Sequence, residues 1–130
     1  MAINSRQKGI RGELAFVHEC KKHGYDVRRS QQYCGNTGEA MDVIGLKDIH
    51  CEVKNSQVLR LKEYLAQAKN DAEKADESNL PTVFYKIPRG DWVAIMPLEA
   101  WFELYEGYLY MQQAIGGRLK GDVDDGTIMD

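Results

Sequence analysis

The chain has 130 residues, a length that suits one compact domain and leaves little room for a second. Apolar residues make up 43% of it, enough for an ordinary core, which excludes a disordered polymer or a coiled-coil rod. Net charge is −3, yet residues 1–62 hold 11 Lys and Arg against 7 Asp and Glu, while residues 63–130 hold 6 against 13. A phosphate backbone is bound by a local basic patch rather than by the global sum, so the acidic total does not exclude a nucleic-acid partner.

No window approaches the ~20 consecutive apolar residues of a membrane helix. The opening MAINSRQKGIRGE has no apolar run of signal-peptide length. A cytoplasmic protein with no membrane partner is expected. Three cysteines, Cys20, Cys34 and Cys51, are too few and too scattered for a disulfide framework and fit a reducing compartment. His18, Cys20 and His23 lie close together and His50 adjoins Cys51, but the paired spacing of a structural zinc site is missing. Buried apolar thiols are the expectation.

The spacing predicts a first helix from about Ser5 to His23, with Ile10, Leu14 and Val17 on an apolar stripe widened by Ala15, Phe16 and Cys20. Ser5 is a fitting N-cap and Gly24 a fitting terminator. Residues 25–30 alternate like a short strand, and 31–40 carry the Gly-Asn-Thr-Gly chemistry of a loop. Met41–Leu46 and Ile49–Lys54 then read as two strands joined by a tight Lys47-Asp48 turn. In the second of these, Ile49, Cys51 and Val53 point one way, and His50, Glu52 and Lys54 the other. A second helix follows at about Leu61–Asp76, with Leu61, Leu65, Ala68, Ala72 and Ala75 inward. Pro81 breaks the chain before a strand at 82–87, a turn at 89–91 and a returning strand at 92–96. Pro97 suits the first turn of a third helix to about Tyr105. The expected architecture is α/β, a mixed sheet flanked by helices in the order α-β-β-β-α-β-β-α. It forms a domain over 1–106, with a glycine-dotted tail at 107–130 that suits a flexible or partner-docking role. The acidic run Gly121–Gly126 lacks the spaced ligands and final Glu of a calcium loop.

Chemistry concentrates where Asp42 is followed ten residues later by Glu52-Val53-Lys54. Strand geometry puts Glu52 and Lys54 on one face with Cα atoms roughly 6–7 Å apart, and the partner strand can aim Asp42 the same way. Two carboxylates and an ammonium on one patch make an oxygen-ligand site for a hard cation, with the Val53 carbonyl as a further donor. Mg²⁺ is the expected ion and Mn²⁺ a competent substitute. Lys54 could hold an attacking water or the charge developing on phosphorus. A Glu-x-Lys pair alone is more often an ordinary solvated strand face. Glu13, beside the apolar stripe of the first helix, adds a carboxylate that is costly to bury unless paired or metal-bound. Gln67, near the inner side of the second helix, adds a group able to bond water or phosphate.

Gly12-Glu13 in a first helix, Asp42 closing a loop, Glu52-x-Lys54 and a later Gln67 resemble the PD-(D/E)xK nuclease superfamily. Within it the chain looks most like archaeal-type Holliday-junction resolvases and phage-encoded endonucleases. The likeness covers roughly residues 3–105 and implies a restriction-endonuclease-like core. It also implies a metal-dependent endonuclease that cuts DNA. Carried over, Asp42 and Glu52 are metal ligands with Glu13 beside them, Lys54 is the catalytic lysine, and Gln67 matches the glutamine that often follows it. Met41 stands where the name-giving proline would be. Ser30 is the nearest candidate for the serine some resolvases use. Arg6, Lys8, Arg11, Arg28 and Arg29 are expected phosphate contacts of the positioning kind, with no base-reading device in view. Branched DNA and a C2 homodimer follow from the same resemblance, because two symmetric cuts need two sites. The Trp101-Phe102 and Tyr105-Tyr108-Tyr110 region is the candidate interface. The competing functions are a structure-specific or nonspecific nuclease on flaps, ends or single strands, and a non-catalytic nucleic-acid-binding module.

Overall fold

Ile49–Lys54 is the segment around which the sheet is built. Its clean alternation lets both faces be covered, one by Cys51 and Val53 and the other by His50, Glu52 and Lys54. The computed structural model describes residues 5–30, 41–75 and 78–116. These form α1 (Ser5–Lys22), β1 (Arg28–Arg29), β2 (Val43–Ile44), β3 (Ile49–Lys54), α2 (Leu61–Lys74), β4 (Leu80–Lys86), β5 (Trp92–Ile95) and α3 (Leu98–Ile115), in the element order expected. The sheet order is β1-β2-β3-β4-β5. β3 and β4 pair in parallel, joined through α2, and the other three pairs are antiparallel.

Each sheet face has its own helix and apolar cluster. Phe16, Val17 and Cys20 of α1 pack with Val27, Val43, Cys51 and Val53. Tyr64 and Ala68 of α2 pack with Val83 and Tyr85 on the other side. The Phe16 ring stacks on Phe84 at 4.4 Å and tilts against Trp92 at 5.4 Å. Burying such a side chain contributes about 1.5–3 kcal/mol, against about 1 kcal/mol net for a hydrogen bond. The apolar seam therefore fixes where α1 lies, and Glu13, at the i−3 and i−4 positions from Phe16 and Val17, is carried in with it.

Several local expectations are corrected. Leu14 of α1 and Leu61 of α2 are exposed, not inward. The inner rows are Phe16-Val17-Cys20 beside buried Gly12 in α1, and Tyr64-Ala68-Ala72 in α2. The strands expected at 25–30 and 41–46 shrink to two residues each. Pro81 does not break the chain but sits inside β4, opposite His50. Its missing N–H is tolerated because β5 pairs β4 only from Val83 onward. The third helix runs to Ile115 rather than to Tyr105. The loop expected at 31–40, with Cys34, and most of the tail, including 121–126, lie outside the described residues.

The chain divides into two units, residues 1–97 and 98–130. Within the second, α3 carries a row of stacked rings. Trp101 lies 5.1 Å from Tyr105 at 11°, and Tyr105 lies 6.2 Å from Tyr108. These rings are exposed, and α3 holds Glu99, Glu103 and Glu106 with no Lys or Arg.

Gly45 follows β2 with φ +130, and a Cβ there would meet the Asp26 carbonyl oxygen at 2.7 Å. Gly45→Ala is expected to lower stability by about 1–3 kcal/mol through strain and clash together. Urea unfolding measures this, and an unchanged midpoint would show that the turn relaxes freely.

Candidate active site

Asp42 is the most firmly held of the candidate residues. Its N–H donates to the Cys51 carbonyl at 2.8 Å and its own carbonyl accepts from Ser30 N–H at 2.9 Å. Its Oδ2 accepts from the Val53 N–H at 2.8 Å. The β2–β3 pairing thus delivers this carboxylate to the end of β3 that holds Glu52 and Lys54, and it is largely buried there. Val53 contributes this amide, while its side chain belongs to the core facing α1.

Glu13 reaches the same neighbourhood from α1. Its Oε1 accepts from Arg29 Nε at 2.8 Å. Burial raises the Glu13 carboxyl above the usual carboxylate range, the Arg29 hydrogen bond opposes this, and the Asp42 charge raises it further. Close by, Asn55 packs against Gly12 and its Nδ2 donates to the Lys8 carbonyl at 3.4 Å, which ties the end of β3 to α1.

Glu52 is only 1% exposed, unusual for a carboxylate. Its Oε2 lies 2.9 Å from His50 Nε2, and His50 is itself fully buried. Burial pushes the Glu52 carboxyl up to about 10, helped by the charges of Asp42 and Asp71 and by a hydrogen bond to Asp71, with Lys54 opposing. Lys54 Nζ donates to Gln67 Oε1 at 2.8 Å and stands 5.0 Å from the centre of the Tyr64 ring. The Tyr64 hydroxyl is in turn bonded to Ser56 Oγ.

Glu13, Asp42, Glu52, Lys54 and Gln67 therefore occupy one neighbourhood: Asp42 and Lys54 each act on both Glu13 and Glu52, and Gln67 holds Lys54. The expected ligand trio of Glu13, Asp42 and Glu52 is not gathered as closely. Among the described residues, the group with ligand atoms all within 4.8 Å of one another is His50, Glu52 and Asp71. Asp42 raises the carboxyls of both Glu13 and Glu52, and Glu52 is turned instead toward His50 and Asp71. His50, Asp71 and Tyr64 were not singled out by the sequence as members of this site. The signal was there: His50 precedes Glu52 by two on one strand face, and Asp71 follows Gln67 by one helical turn.

Among the expected phosphate contacts, Arg6, Arg11 and Arg28 are exposed and Lys8 is half-buried. Arg29 is engaged with Glu13 and Ser30 is buried. Cys20 and Cys51 lie in the core, where burial raises both thiols. His18 and His23 are exposed, so the first-helix trio does not converge.

The sequence matches no protein-family model and no curated protein. Among solved structures it is similar to Hjc of Archaeoglobus fulgidus, a Holliday junction resolvase from an archaeal hyperthermophile. The identity is 22% and the TM-score 0.50, over 68% of this chain and 75% of that one. The fold is restriction-endonuclease-like. Five strands of mixed direction with helices on both faces are the shared architecture, and the candidate residues lie at β2, β3 and the two helices that cover the sheet. No helix among the described residues is long and apolar enough to cross a membrane.

The Glu52 shift fixes a sign for stability against pH. The folded carboxyl keeps its proton up to about pH 10, while the unfolded one loses it near 4.5, so within that window the native state binds the extra proton. Glu52's contribution is complete below about pH 4.5 and is lost as pH rises toward 10, by at most about 1.4 kcal/mol per pH unit. In chelator, the Tm of the wild-type chain is expected to fall between pH 5 and 8 more steeply than that of Glu52→Gln. Equal slopes would show that Glu52 is ionised in the folded protein.

Proposed function

We propose that the chain is a divalent-metal-dependent endodeoxyribonuclease of the PD-(D/E)xK kind that acts on branched DNA. What carries this reading is the Glu52-x-Lys54 pair on the central strand, with buried Glu52 under the charge of Asp42 in a restriction-endonuclease-like fold. A carboxyl so raised by burial and by neighbouring acids is a group whose charged form a bound cation would favour. The donor set of Asp42, Glu52 and nearby Glu13, all oxygen, fits a hard ion such as Mg²⁺, with Mn²⁺ able to replace it. Asp42 and Glu52 would hold it, with Glu13 and the Val53 carbonyl as further donors. When bound, such an ion lowers the pKa of its water and polarises a phosphoryl oxygen.

The chain's own residues supply the rest. Lys54, held by Gln67 and the Tyr64 ring, presents its ammonium on the same strand face as Glu52. There it can orient a water for attack on phosphorus and offset the charge that develops on the phosphoryl oxygens. Arg6, Lys8, Arg11 and Arg28 would contact phosphates along α1 and β1, fixing position without reading sequence. Arg29 would set Glu13, and Ser30 would act through the backbone it shares with Asp42. The preference for branched DNA rests on the likeness to a resolvase and on the lack of a base-reading element.

A homodimer completes the proposal. The exposed rings of α3, without any Lys or Arg and with three Glu, suit an apolar partner and repel phosphates. A C2 pair would supply two sites for two symmetric cuts. Sedimentation at micromolar concentration is expected to give a dimer. A monomer would sink this part alone.

The activity is tested by nicking of a four-way junction, a flap and a linear duplex of matched sequence with Mg²⁺. Paired cuts in the junction are expected, and Asp42→Asn, Glu52→Ala and Lys54→Ala should each lower the rate by roughly 10²–10³-fold. Cleavage of all three substrates would point to a general endonuclease. No Glu52-dependent cleavage with either Mg²⁺ or Mn²⁺ would leave a binding module.

A further inference from the structure

Two residues outside the expected site touch its most buried carboxyl group. β3 presents His50, Glu52 and Lys54 to α2 in steps of two residues, and α2 meets them with residues one turn apart. Tyr64 and Gln67 meet Lys54, and Asp71, four residues beyond Gln67, meets Glu52. From the strand itself His50 Nε2 lies 2.9 Å from Glu52 Oε2, with both side chains 1% exposed or less. A glutamate side chain has three rotatable bonds, so an unsupported carboxyl would spread over several orientations. This one is held from two directions in a packed interior.

We propose that His50 and Asp71 are positioning residues that set the orientation of the Glu52 carboxyl group for a cation shared with Asp42. The inference rests on the reading of Glu52 as a metal ligand. In the tautomer that carries its proton on Nε2, His50 would donate to Glu52 Oε2 and leave the other oxygen for the ion, and Asp71 would limit rotation of the carboxyl plane from α2. The same helix turn fixes Lys54 through Gln67, so α2 sets the spacing between the ligand carboxylate and the ammonium. Partners that orient a metal's ligands in this way typically govern metal affinity or activity by about 10–100-fold.

The test measures Mn²⁺ affinity by calorimetry and junction cleavage at varied Mn²⁺, in the full chain. The variants are His50→Leu, His50→Gln, Asp71→Asn, Asp71→Ala, Asp42→Asn and Glu52→Gln, each checked for folding by thermal unfolding. Glutamine places a donor near the histidine Nε2, and asparagine keeps a hydrogen-bonding group at 71. His50→Leu and Asp71→Ala are expected to weaken Mn²⁺ binding by about 10–100-fold. They should also lower kcat at fixed metal with little change in KM for DNA. His50→Gln and Asp71→Asn should recover most of the loss, and raised Mn²⁺ should restore cleavage in all four. Folded His50→Leu and Asp71→Ala proteins that bind Mn²⁺ and cut like wild type would overturn the inference while leaving Glu52 in its role. Mn²⁺ binding that survives Asp42→Asn but disappears in His50→Leu would also overturn it, by making His50 a direct ligand. Wild-type cleavage by Glu52→Gln would instead remove the proposed function on which the inference rests.

Discussion

Burying Glu52 is the constraint around which this domain is arranged. A carboxylate taken into a protein interior costs several kcal/mol unless it is paired, hydrogen-bonded or neutralised. Here it stands on the central strand at 1% exposure, with Asp42 and Asp71 both raising its cost further. No packing need explains a glutamate there, since a valine would fill a strand position without the electrostatic penalty. The His50 contact and the hydrogen bond to Asp71 offset part of the cost, and the proposed cation would offset the rest. A site whose charged form is stable only with an ion present has affinity that depends on pH, because the ion must displace a proton.

The two faces of the sheet divide the work. The α1 face is apolar where it matters: Phe16, Val17, Cys20, Cys51 and Val53 lock the helix to the sheet and set Glu13 at its edge, where Arg29 receives it. The α2 face is mixed, with small alanines allowing close approach while Gln67 and Asp71 reach β3. Ala68 and Ala72 are buried, so a larger side chain at either would push α2 outward and move both contacts at once. Packing on this face and the geometry of the polar site are therefore one variable.

How much could be read from the sequence follows from which signals are local. Element order came through, and β3 to the residue, because its alternation is unbroken. The neighbouring strands β1 and β2 came out far shorter, since alternation over two residues carries no periodic signal. Leu14 and Leu61 fit an apolar stripe yet are exposed, because the inner row of α1 is set by Phe16 stacking on Phe84, a contact 68 positions distant in sequence. Pro81 misled because its tolerance depends on where β5 stops, which no local pattern records. Glu13, Asp42, Glu52, Lys54 and Gln67 were legible as candidates by spacing and resemblance, and the structure places them in one neighbourhood. His50 and Asp71 were not, because their part depends on the register between α2 and β3.

Charge distribution closes the physical picture of the chain. An overall charge of −3 would oppose approach to a polyanion if spread evenly. Much of the acid is instead concentrated late in the sequence, including the three glutamates of α3, while α1 and β1 carry Arg6, Lys8, Arg11, Arg28 and Arg29. With a Debye length of about 8 Å at physiological salt, a phosphate close to α1 senses mainly that helix and its nearest neighbours. The buried acids weigh less than their number suggests, since burial disfavours the charged form of Glu52 and Glu13 is matched by Arg29. The basic half can then face a phosphate backbone, and the acidic aromatic helix is better suited to meeting protein than nucleic acid.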